Sequence, residues 1–129
     1  MSPSARAEVK AAAETGPMEE FIETTRDELT RVRNQTKEIS LLVEQSQGEV
    51  DKLVQRNAAI TAQLHQIHSN FDTVPREDIR TAYEAAQDGQ QRLFTMRGQL
   101  EKLQSDQVNL KRYADHLART LQLLEGGVE

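Results

Sequence analysis

Two histidines three residues apart, His65 and His68, are the side chains best placed to do chemistry, with Asp72, Glu77 and Asp78 following close behind. Imidazoles at that spacing share one side of a helix, and neighbouring carboxylates could complete the shell of a divalent metal. Their helical positions, given below, argue instead for solvated side chains, and we expect no metal ligands. His116 stands alone without catalytic neighbours. Ser40, Ser46 and Ser69 offer hydroxyls but no triad, and Thr36 and Ser46 are expected to bond the preceding helical turn. There is no cysteine, so thiolate chemistry, disulfides and Cys-based zinc sites are excluded. The sequence contains no phosphate loop, dinucleotide fingerprint, nucleophile elbow or zinc-protease signature. The expectation is a chain with no catalytic, cofactor-binding or metal-binding residues.

What would position these side chains is a set of long helices. With 29% charged and only 4% aromatic residues over 129 positions, a conventional globular core is out of reach, and burial must come from aliphatic stripes facing a partner helix. The formal net charge is −5 and basic residues are scattered among acidic ones along the sequence, which makes nucleic acid a poor partner. No apolar run approaches the roughly 20 residues of a membrane span, and no secretory signal opens the chain. A cytoplasmic protein without membrane contact is expected.

Apolar residues recur at steps of three and four in two arrays. In the first, heptad position a holds Ile22, Leu29, Thr36, Val43, Val50, Asn57, Leu64 and Phe71, and position d holds Thr25, Val32, Ile39, Ser46, Leu53, Ile60 and Ile67. Eleven of these fifteen sites are apolar, a persistence that predicts a helix over about 18–71 and a left-handed supercoil. In this register His65 and His68 are at b and e. The second array places Ile79, Ala86, Leu93, Leu100, Gln107, Ala114 and Leu121 at a, and Ala82, Gly89, Met96, Leu103, Leu110, Leu117 and Leu124 at d. It predicts a helix over about 75–125 that stops at Gly126-Gly127 with a left-handed cap. Residues 1–17 lack a usable apolar period and read as a flexible tail, transiently helical over Ala5–Glu14 and closed by the break at Gly16-Pro17.

The arrays meet at a turn over 72–74. Pro75 forbids one continuous helix, because it disfavours helical geometry at Val74 and cannot donate a helical hydrogen bond, yet it suits a helix entrance where Glu77 and Asp78 complement the dipole. The fold class is therefore all-α: a long antiparallel helical hairpin. Pairing about residue 73 sets Asn57, polar in the first seam, level with Gly89, which lacks a side chain in the second, and Gly48 level with Gly98 at outward positions. A water-accommodating, flexible layer follows if the small residue leaves space and the glycines soften both arms; the alternative is that Asn57 only fixes register. Leu42, Val54, Tyr83 and Tyr113 carry apolar character onto the flanks, which points to a homodimeric four-helix bundle, a solvated flank being the alternative.

Around the turn the chain reads Asn70-Phe71, a short hinge containing Pro75, and then Glu77-Asp78-Ile79-Arg80-Thr81-Ala82-Tyr83-Glu84-Ala85-Ala86. This segment resembles the N-terminal sensor region of the DegS family of cytoplasmic two-component sensor histidine kinases, in which Asn-Phe precedes an acidic helix start reading Glu-Ile-Arg-x-Ala-Tyr-Glu-x-Ala. The likeness is specific over about 67–93 and rests on heptad character over the rest of 20–124. Pro75 departs from it, since the family often carries a serine cap there. The resemblance implies a signal-input domain, homodimeric, whose coiled coil feeds a kinase core using ATP and Mg and phosphorylating a response regulator. No such core is encoded here, and none of the three histidines has the acidic phosphoacceptor context, so this chain is expected not to be an enzyme itself. The competing readings are a structural or tethering coiled coil outside any phosphorelay, and a hairpin binding module of chaperone type.

Overall fold

The computed structural model describes residues 3–126, with side chains from Gly16 to Gly126. It is all-helical: α1 (Pro3–Ser69) and α2 (Arg76–Gly126) form a hairpin, and no strand occurs among the described residues. Leu, Ala, Gln, Glu, Lys and Arg dominate both helices and are strong helix formers, so local preference and heptad pattern agree.

The helical backbone reaches Pro3 and runs through the Gly16-Pro17 break, where α1 was expected to begin at about residue 18. Pro17 lies inside α1. Its fixed φ is compatible with helix, the loss is one hydrogen bond, and the preceding Ala11-Ala12-Ala13 is the strongest helix-forming run nearby. At the other end Gly126 belongs to α2, no glycine among the described residues has positive φ, and Gly127 lies outside them; the left-handed cap is thus not formed at Gly126.

The connection is longer than the expected turn over 72–74, spanning residues 70–75. α1 ends at Ser69, Phe71–Thr73 form one 3₁₀ turn, and Val74 is extended at φ −94 and ψ 130, as a residue before proline should be. The Pro75 carbonyl accepts from the Asp78 and Ile79 amides and so opens α2. Phe71, assigned to the seam by its heptad position, is 62% exposed instead. Asn70 has already left helical geometry at φ −125 and ψ 34, so the heptad register no longer governs where residue 71 points.

Contacts divide the chain into two compact units, a first comprising residues 1–38 and 107–129 and a second comprising residues 39–106. In the first, Leu29 and Val32 of α1 close on Leu117 and Leu121 of α2, with Ile22, Leu110, Ala114 and Ala118 packed around them; Val32 is completely buried. Thr25 is buried among apolar neighbours because its hydroxyl donates to the Phe21 carbonyl at 2.8 Å, and Thr36 does the same to Val32 at 2.8 Å. In the second unit Val50, Ile67, Ala82 and Leu100 are buried, and the remaining seam residues from Ile39 to Leu64 and from Ile79 to Leu103 are half-buried or better. Apart from Phe71, the a and d positions from Ile22 to Leu124 are the covered stripe, as the pattern requires.

Candidate functional site: the turn and the Asn57–Gly89 layer

Each motif residue around the turn has a local task. Asn70 ends α1: its amide reaches the Gln66 carbonyl at 3.1 Å, its side-chain Nδ2 donates to the same carbonyl at 3.2 Å, and its own carbonyl accepts from the Thr73 amide at 3.0 Å and Thr73 hydroxyl at 2.9 Å. Arg80 lies on the α2 surface, donating to Glu77 at 2.6 Å with Glu84 at 3.8 Å, one turn to either side. Ala82 is buried and Ile79 and Ala86 half-buried, so the small residues of the motif set how closely α2 approaches α1 beside the turn. Phe71 remains outside that packing.

Tyr83 forms a contact that the sequence reading missed. Its hydroxyl lies 2.6 Å from His68 Nε2, with ring centroids 6.0 Å apart and tilted by 43°. Both residues hold e positions, and antiparallel helices set their e flanks against each other near the turn, which was the available signal. His65 is exposed, and its carbonyl accepts from the Ser69 hydroxyl at 3.1 Å; no group of three or more His, Asp or Glu side chains able to hold a metal occurs among the described residues. His116 is exposed, and its carbonyl accepts from the Thr120 hydroxyl at 2.9 Å.

Deeper in the second unit Asn57 and Gly89 meet, as the register argument required. Asn57 Nδ2 donates to the Gly89 carbonyl at 3.1 Å. The space expected to admit water is filled by the asparagine itself, because a Cβ at Gly89 would lie 3.1 Å from Asn57 Cγ and closer still to Oδ1. Glycine is thus required at 89 by a close approach rather than by backbone conformation. Oδ1 is buried with no hydrogen-bond partner, a state that costs about 1–3 kcal/mol relative to a satisfied group. Gly48 and Gly98 differ in kind, since nothing lies within 4 Å of a Cβ at either. The second unit also bears a shallow groove in which the seam residues Leu53 and Met96 are flanked by Glu49, Asp88 and Arg92.

A family model described as Sensor protein DegS covers residues 17–127, taking in the turn, the Asn57–Gly89 layer and both heptad arrays. No curated protein and no solved structure matches the chain.

Proposed function

Because the chain belongs to the DegS sensor protein family, we propose that it is the signal-input and dimerisation module of a cytoplasmic two-component sensor histidine kinase. The phosphoryl chemistry would reside in a kinase core that uses ATP and Mg and passes phosphate to a response regulator; the hairpin contributes the element that changes state. The observation that carries this reading is the Asn57–Gly89 layer. Coiled-coil signalling needs a seam with two packings of similar free energy, and an aliphatic layer has too deep a minimum to supply that. Here the seam holds one cross-helix hydrogen bond and one unpartnered carbonyl oxygen, so a small rotation or slide that pairs Oδ1 offsets the loss of the Nδ2 bond.

Exposed apolar flanks support the dimerisation part of this reading. Leu42, Val54 and Tyr113 are between 40% and 48% exposed, and in the second unit the Leu53–Met96 groove exposes seam carbon directly. A second copy covering them makes a four-helix bundle.

The test is autophosphorylation in the kinase that carries this module. Gly89→Ala and Gly89→Leu should both displace the Asn57 amide and shift basal activity and its response to stimulus, while Gly98→Ala should not. Unchanged activity in both Gly89 variants would make the layer merely structural and favour the tethering alternative.

A further inference from the structure

We propose that the first unit holds a binding site for a small phosphate-bearing anion, in the groove between Arg33, Thr36 and Lys37 of α1 and Lys111, Ala114 and Asp115 of α2. The groove exists because both seam residues at this level are small. Thr36 and Ala114 occupy a positions, and the Thr36 hydroxyl is already committed to the Val32 carbonyl, which leaves a shallow, uncharged floor.

The rim is cationic, and its composition is not that of an ordinary solvated flank. Arg33 and Lys37 are four residues apart on α1 with no acidic residue three or four positions from either, an arrangement in which like charges repel along one helix face. On α2 Lys111, Arg112 and Arg119 surround the single carboxylate, Asp115. Among the described residues Arg33, Lys37 and Lys111 have no ion pair, whereas Arg26 pairs with Glu125 and Arg31 with Glu28. The Glu28 hydrogen bond and charge also hold the Arg31 pKa above its ordinary value, so that cation is already spoken for. Two segments distant in sequence, 33–37 and 111–115, thus line the groove with three cations against one carboxylate in a protein of formal net charge −5.

A phosphate group fits this setting. It spans the helices, relieves the Arg33–Lys37 repulsion, and takes charge-assisted hydrogen bonds from a guanidinium and two ammonium groups. The site is independent of the signalling role: it would exist in a tethering coiled coil as well.

Titration of the 129-residue chain with pyrophosphate at low salt, followed by backbone amide NMR, tests the assignment. Shifts should concentrate at 33–37 and 111–115, and Lys37→Gln/Lys111→Gln should weaken binding by about tenfold or more. Lys52→Gln/Arg56→Gln, two cations of the second unit, should leave it unchanged, and Lys37→Arg/Lys111→Arg should retain it. Shifts spread evenly over all cations, or undiminished affinity in the Gln variant, would overturn the proposal. So would a single-stranded oligonucleotide that binds the groove and is not displaced by pyrophosphate.

Discussion

In the first unit the seam closes on Leu29, Val32, Leu117 and Leu121, four aliphatic side chains at or below 8% exposure, whereas in the second the equivalent heptad positions bring Asn57 over Gly89. The same spacing rule produced both. An aliphatic layer gains free energy from contact area and has no directional preference of its own. The asparagine layer gains little area but has direction: Nδ2 finds the Gly89 carbonyl in one register, and a neighbouring residue with a Cβ would exclude it. The first layer supplies stability, and the second supplies register.

The largest effect should come from breaking the aliphatic side of this contrast. Leu29→Ala removes a side chain at 6% exposure from the centre of the first unit's core and should cost about 2–4 kcal/mol, read from urea unfolding by circular dichroism. A loss below about 1 kcal/mol would mean that this core is much looser than its burial implies.

A double-mutant cycle at Asn57 and Gly89 sharpens the other side. Gly89→Ala gains about 1 kcal/mol of helix propensity but forces the asparagine amide away and breaks its bond, for a net loss of about 1 kcal/mol. Asn57→Ala removes an unsatisfied buried oxygen together with one hydrogen bond and should be close to neutral. The double variant keeps the propensity gain without the clash, so it should exceed Gly89→Ala in stability by about 2 kcal/mol. Simple additivity of the two changes would show that the residues do not act as one layer.

The parts of this molecule legible in sequence are those governed by short-range repetition. Heptads located the covered stripe from Ile22 to Leu124, and antiparallel register alone brought Asn57 to Gly89. Pro75 located the turn, because its restriction of Val74 is a property of the dipeptide. Phe71 was misplaced because a heptad count continues on paper after Asn70 has left the helix. Continuous helix across Pro17 was not expected because that proline was read as a boundary, although its cost inside a helix is finite and the preceding residues, read as transiently helical over Ala5–Glu14, favour helix. The His68–Tyr83 contact and the Arg33–Lys37–Lys111 groove each join residues from two helices through their flanks, where residue type varies too freely for periodicity to announce them.

Gly48 and Gly98 provide the smallest and most selective test. Both are on exposed helix surface with nothing within 4 Å of a would-be Cβ, unlike Gly89, so alanine meets no obstacle at either. If they are simply weak helix formers, Gly48→Ala and Gly98→Ala should each raise stability by up to about 1 kcal/mol, and the gains should add. Any signalling consequence would then arise from local helix stiffness rather than packing, because neither substitution touches the seam. A gain at Gly48 and Gly98 with a loss at Gly89 is the pattern that distinguishes a glycine tolerated by the helix from one required by its partner, and thermal unfolding of the three single variants measures it directly.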